Sequence, residues 1–372
     1  MKKNRSILAF AVCCYMGGCI ACAPSITSSV SSTPYGTATP ISALYTENYT
    51  SPSPAVSSSP SRYGAWVPYW DYANAIDELD KIGSNLNDVI CFAAIFNSSD
   101  EVFLLPEAQE ALTCLNILYS DEYDIYLSVV NDIETDDTIY ENKSTDLLWR
   151  LLGTDAAIEE HIEDLMKMLH ESNADGLEID YEAIRSDTGL YTRFSLFIER
   201  LLQRTSSEGI PLRVVLSWDS ALYTTFPDGP QYSIMCYNLY GLHSGPGPKA
   251  DLIFLDKVFS INHALPGQSV IAFSTGGFDW SEDGTIVSIT QSTAGALQNT
   301  YNIPAGSIMR DETSKSLYFH YTDDLGLSHE VWYADFTTLS FWRSIALNAG
   351  YVNFDLFRLG GNSMSDLASF FN

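Results

Sequence analysis

A parallel (β/α)8 barrel, an α/β fold of the TIM type, is predicted by three features of the 372-residue chain. Eight strand-like runs alternate with helical patterns from about residue 63 onward. Two connecting segments carry apolar stripes at helical spacing: Ile158, Ile162, Leu165, Met166 and Leu169, then Phe194, Phe197, Ile198 and Leu201. The third feature is DGLEIDYE, Asp175 to Glu182. Strand side chains alternate faces, so Glu178, Asp180 and Glu182 share one side and Leu177, Ile179 and Tyr181 the other.

The eight runs are 65–70, 89–96, 125–130, 176–181, 213–218, 233–238, 269–275 and 352–357. The segment from about Trp280 to Tyr333 is too long for a plain connection. It predicts a small α+β insertion between strands seven and eight, about 281–332, over the barrel mouth. The barrel with this lobe is expected to occupy 63–372.

The N-terminal region reads differently. Lys2, Lys3 and Arg5 precede a short apolar stretch, Ile7 to Met16, too short to span a membrane as a mature helix. Residues 1–22 are expected to be a signal peptide. Gly17 and Gly18 precede Cys19, and Ala21 precedes Cys22, which resembles the small-residue-then-cysteine pattern of bacterial lipoprotein signals. Either cysteine is a lipidation candidate, although Met16 and Cys19 stand where leucine is usual; ordinary cleavage near Ala23 is the alternative. Residues 23–62, rich in Ser, Thr and Pro, read as a linker without a core. The expectation is an exported protein, secreted, periplasmic or tethered at a surface, touching membrane only through such an anchor.

A formal net charge of −28 gives the chain no field that would draw it to nucleic acid or anionic lipid. Outside the leader only Cys91, Cys114 and Cys236 remain, with neither a disulfide framework nor metal-ligand spacing. Cys91 and Cys236 lie in apolar runs and read as buried thiols.

Catalytic groups of such barrels sit at the C-terminal ends of the strands. Glu182 falls there on strand four, with Asp180 and Glu178 beneath it. Ionising all three together is costly, so the run is expected to share protons, an arrangement that can keep Glu182 protonated as a general acid near neutral pH. The competing reading is a solvated acidic face of an antiparallel strand; the eight-strand pattern argues against it.

DGLEIDYE resembles the DxxDxDxE signature of family 18 glycoside hydrolases, the chitinase-like enzymes. Asp175 matches the first Asp, Asp180 the last and Glu182 the acid, while Glu178 replaces the middle Asp. Other segments agree in order: AWVPYW (65–70), MCYN (235–238), FSTGGFDW (273–280), HEVWYADF (329–336) and FRLGG (357–361). Asn238 stands where Asp is commoner and Phe357 where Trp is usual. The late segments look most like a bacterial branch with spore cortex-lytic N-acetylglucosaminidases.

The resemblance implies a retaining, substrate-assisted hydrolysis of β-linked N-acetylglucosamine polymers. Glu182 would protonate the glycosidic oxygen, the sugar's acetamido oxygen would attack, Asp180 would orient that group, and Tyr237 would donate to it. Glu178 and Asp175 would be supporting carboxylates. Substrate contacts would come from Met235, Asn238, Trp70, Trp280 and Phe357, although Met235 also fits plain packing. Neither metal nor cofactor is implied. The partner would be an N-acetylated saccharide, bound by a monomer. Chitin, peptidoglycan strands and N-glycans all remain open as substrates. A carbohydrate-binding barrel of weak or no activity is the rival function.

Overall fold

The computed structural model describes residues 61–372, except 137–138, 268, 365–366 and 372. The proposed signal peptide, nearly all of the linker, and Cys19 and Cys22 lie outside the described residues.

Eight parallel strands form the barrel: β1 (Tyr63–Pro68), β2 (Asp88–Asn97), β3 (Asp124–Asp136), β4 (Gly176–Asp180), β5 (Leu212–Leu216), β6 (Gln231–Met235), β7 (Val270–Ser274) and β8 (Asn353–Phe357). Each pairs with the next in sequence, and β8 closes onto β1 through Tyr63↔Phe354, Gly64↔Asp355 and Ala65↔Leu356. All eight strands read from the sequence are present. Strands four and six are shorter than expected, ending at Asp180 and Met235, so Glu182, Tyr237 and Asn238 stand just past the strand ends.

Strand β3 instead overruns its expected end at 130. It continues to Asp136 and folds back antiparallel onto Ile139–Glu141. The extension is polar (Asn131, Asp132, Glu134) and lacks the apolar run that marks the buried part. This hairpin returns the chain to the barrel mouth at Lys143.

The outer helices follow from their caps and stripes. Thr154 accepts a hydrogen bond from Ala157 N to start the helix Asp155–Ser172, and Asn173 ends it in the left-handed region at φ 54°. Its stripe Ile158, Ile162, Leu165, Met166 and Leu169 is buried, each side chain contributing roughly 1.5–3 kcal/mol. His161 joins that buried face, with Nε2 2.7 Å from the Tyr181 hydroxyl. Asp187 caps the helix Thr188–Ser207, which buries Phe194, Phe197, Ile198 and Leu201. Among the described residues no helix is long and apolar enough to cross a membrane.

The insertion is a five-stranded antiparallel sheet, made of Gly276–Ser281, Ile286–Ile289, Met309–Arg310, Leu317–Thr322 and Ser328–Ala334, with the helix Gln291–Thr300. It begins directly after β7. Its separate core contains Ile289, Ala294, Phe319, Tyr321, Val331 and Tyr333. Gly277 is required where two strands approach closely, because a Cβ there would lie 1.8 Å from the Trp332 carbonyl oxygen.

Candidate active site

The floor of the barrel is a charged cluster. Arg213 is buried and donates from Nε to Glu178 Oε2 at 3.0 Å, and its Nη atoms meet Asp355 Oδ2 at 2.5 Å and Asp88 Oδ2 at 3.4 Å. Burial works against the guanidinium charge, but Asp355, Glu178 and Asp88 outweigh it and hold the group protonated. Glu178 also accepts from Trp66 Nε1 at 2.7 Å. Burial pushes the Glu178 carboxyl up, while Arg213 and Trp66 pull it down. Glu178, expected from sequence as a supporting carboxylate, is thus held by Trp66 and Arg213. Its extra methylene relative to Asp places it between Trp66 and Arg213.

Above this floor, Asp180 is 6% exposed, and its Oδ1 has no hydrogen-bond partner. Burial, then Glu182, raise its carboxyl well above the ordinary range, against the pull of Lys143. Glu182 lies at the mouth with about a quarter of its side chain exposed. Its backbone is clamped by Asn131: Glu182 N donates to Asn131 Oδ1 at 2.9 Å, and Asn131 Nδ2 donates to Glu182 O at 3.2 Å. Lys143 Nζ lies 3.0 Å from Glu182 Oε1. An ion pair and a protonated Glu182 exclude one another, so Lys143 must be displaced wherever Glu182 serves as an acid. Burial opposes the Lys143 charge, but Glu182, Asp180 and Asp132 hold its ammonium above its ordinary range.

Tyr237 faces this group from the end of β6. Burial, then Asp180 and Glu182, push its phenol well above 10, so it remains a donor. Its ring stacks on Phe357, with centroids 5.7 Å apart and planes at 14°. Phe357 also meets Trp66 and Phe92 edge-on, closing an aromatic base to the cleft. Trp70 is 52% exposed at the end of β1, with the Arg358 guanidinium 5.8 Å from its ring centroid. Asn238 is half-buried, and its Nδ2 lies 3.7 Å from Met235 Sδ.

Three expected site residues stand elsewhere. Asp175 precedes β4 at the opposite end of the barrel and ties down β3 by accepting from Ile125 N at 2.8 Å. It supports the strand, not the acid. Met235 is 4% exposed and packs with Trp66, Ile90, Tyr126 and Val215 inside the barrel, beneath any saccharide. Trp280 is 5% exposed, because its strand belongs to the inserted sheet; its Nε1 donates to Ser244 O at 3.0 Å and its ring packs on Phe278. It offers no open face to a sugar.

Sequence reading missed Asn131 and Lys143. Their one signal was a run of polar residues directly after an apolar strand. It also missed Lys249, whose Nζ donates to Ser274 Oγ and Thr275 O, both at 2.8 Å. Burial, with Arg358 nearby, draws its ammonium down to about 7.

Comparison with known proteins agrees with this layout. The (β/α)8 barrel superposes on those of several chitinases and cortex-lytic enzymes. The spore cortex-lytic enzyme SleL of Bacillus cereus superposes with a TM-score of 0.68 at 17% identity, over 84% of this chain and 75% of that one. A chitinase from Chromobacterium violaceum gives 0.68 at 19% identity, over 84% and 98%. A variant of the class V chitinase of Nicotiana tobaccum, solved in complex with NAG4, gives 0.64 at 13% identity, over 84% and 98%. In sequence, the chain is 24% identical over 214 residues to YdhD of Bacillus subtilis (strain 168), a protein whose name proposes a sporulation-specific glycosylase. The match covers 53% of this chain and about half the length of that relative. No family model matches.

Proposed function

We propose that the chain is a glycoside hydrolase that cleaves β-linked N-acetylglucosamine polymers with retention, using the substrate's acetamido group as nucleophile. The observation that carries this reading is the convergence of Glu182, Asp180 and Tyr237 at one end of the barrel. Glu182 is exposed enough to reach a glycosidic oxygen. Asp180 is buried directly behind it with a carboxyl that favours its proton. Tyr237 remains a hydroxyl donor above an aromatic base.

In this mechanism Glu182 gives a proton to the leaving oxygen as the acetamido oxygen attacks the anomeric carbon. Asp180, as carboxylate, orients the acetamido N–H and balances the positive charge of the ring intermediate. Tyr237 donates to the acetamido oxygen. Glu182 then takes a proton from water, which opens the intermediate. Phe357 and Trp70 supply the stacking surfaces. Export, with attachment through Cys19 or Cys22, would place the enzyme near an extracellular glycan.

The Lys143–Glu182 ion pair is the observation that favours a second reading, a saccharide-binding barrel without turnover. The test is incubation of the full chain with N-acetylglucosamine oligomers and with purified peptidoglycan, followed by mass spectrometry of new reducing ends. Fragments ending in N-acetylglucosamine, absent with Glu182→Gln, support the hydrolase. Binding of oligomers with no new ends supports the second reading.

A further inference from the structure

Lys143 has no counterpart in the chemistry just described, yet it touches the acid directly. Its Nζ is 3.0 Å from Glu182 Oε1 and 3.7 Å from Asp132 Oδ1. Its backbone N–H donates to the same Asp132 oxygen at 2.8 Å, and its φ of 56° turns the chain so that the side chain can reach Glu182. The charged and titratable groups around this contact are Glu182 and Asp180 from the end of β4, Asp132 from β3, and Tyr237 from the end of β6. Glu178 lies deeper, occupied by Arg213.

We infer that Lys143 is a positioning residue of the acid step: it keeps the proton of the carboxyl pair on Asp180, and it must leave Glu182 before that proton can pass to the acid. The inference rests on the hydrolase reading above. Burial and Glu182 favour protonation of Asp180, and Asp180 Oδ1 has no other partner. The resting group is then a carboxylic acid on Asp180, a carboxylate on Glu182 and an ammonium on Lys143, with no net charge. An incoming glycosidic oxygen competes with the ammonium for Glu182. When Lys143 moves away, the O–H bond on Asp180 breaks and one forms on Glu182. Asp180 becomes the carboxylate that the acetamido group requires, and Glu182 becomes the acid. No other reactant enters. Asp132 supplies the second berth for the ammonium, already 3.7 Å away and already tied to the same residue through its backbone.

The two berths give opposite predictions. Lys143→Met removes the cation from both; Asp132→Asn weakens only the alternative berth and can still accept the Lys143 N–H. The full chain and these variants, with Lys143→Arg as the charge-retaining control, are compared for hydrolysis of the N-acetylglucosamine tetramer across pH 4–9. Lys143→Met is expected to move the alkaline limb of kcat/KM upward by about one pH unit, roughly tenfold in rate on that limb, because the cation no longer favours the carboxylate. Lys143→Arg keeps the limb near that of the parent. Asp132→Asn lowers kcat several-fold. Melting curves at each pH exclude misfolded variants.

Rapid-mixing tryptophan fluorescence measures tetramer affinity before turnover. Lys143→Met is expected to bind several-fold tighter at neutral pH, since no ion pair need break. Hydrolysis by the parent with an unmoved limb and unchanged affinity in Lys143→Met overturns the role of Lys143 and leaves the hydrolase reading intact. No hydrolysis by the parent, with tighter binding by Lys143→Met, overturns the hydrolase reading while showing that Lys143 is displaced on binding. Neither hydrolysis nor a change in affinity overturns both.

Discussion

Glu178 and Arg213 meet at 3.0 Å inside the barrel, both essentially without solvent exposure. The pair explains why a glutamate stands where an aspartate would have been shorter: its carboxylate spans from Trp66 Nε1 to Arg213 Nε. Removing one partner of a buried ion pair leaves an uncompensated charge. Arg213→Met strands Glu178 and Asp355, while Asp88 keeps its ion pair with Arg62, and is expected to cost about 3–5 kcal/mol. Glu178→Asp loses reach to one of its two donors and is expected to cost about 1–3 kcal/mol. Urea unfolding of both variants checks this. A Glu178→Asp protein as stable as the parent would show that the longer side chain is not needed for the cluster.

His161 provides a pH signature of the fold. It is fully buried against Phe197 and the Tyr181 hydroxyl, and burial draws its imidazole down to about 3. The unfolded chain takes up this proton near pH 6.5, the folded one only near pH 3. The unfolded state therefore binds more protons between these values, and stability rises with pH across the window. His161 contributes fully above about pH 6.5, and its contribution falls by about 1.4 kcal/mol per unit as pH drops toward 3. His161→Gln keeps a partner for Tyr181 but cannot titrate. The stability difference between parent and variant, measured from pH 7 to 4, is expected to change with that slope; a difference independent of pH would contradict it.

The eight strands were legible because each is an apolar run bounded by polar or turn residues. The acid run was legible because alternating carboxylates are rare on a strand with an apolar other face. Lys143 was not, because it lies 13 residues after the predicted end of strand three, in a polar stretch whose hairpin folding depends on pairing between Ile133 and Glu141. Trp280 misled for the opposite reason. It follows an apolar barrel strand closely, but the chain changes sheets at Gly276, so its ring packs on Phe278 and its Nε1 donates to Ser244 O in the loop after β6. Asp175 matched a motif position, yet a motif gives residue type and spacing and does not say which end of the barrel a side chain serves.

The inserted sheet depends on the close approach at Gly277. A methyl group there would overlap the Trp332 carbonyl oxygen, and the overlap is with backbone, which no rotamer change can relieve. Gly277→Ala is expected to separate Gly276–Ser281 from Ser328–Ala334 at a cost above about 3 kcal/mol. Hydrogen exchange should show lost protection across Phe319, Val331 and Tyr333, while β4 and β5 remain protected. Uniform loss through the barrel would show that lobe and barrel unfold as one unit.

Tyr237 and Phe357 are stacked but should act on different kinetic constants. Tyr237→Phe removes one hydroxyl and leaves the ring to pack on Phe357. If the hydroxyl stabilises charge that develops on the acetamido oxygen, kcat falls by roughly 10²-fold with KM little changed. Because burial and the neighbouring carboxylates hold its phenol well above 10, its ionisation does not contribute an alkaline limb within the working range. Phe357→Ala removes stacking surface and should instead raise KM by about tenfold, equivalent to about 1.4 kcal/mol of uniform binding. Steady-state kinetics on the N-acetylglucosamine tetramer separates the two. A Tyr237→Phe variant with raised KM and unchanged kcat would make the hydroxyl a simple binding contact and remove it from the chemical step.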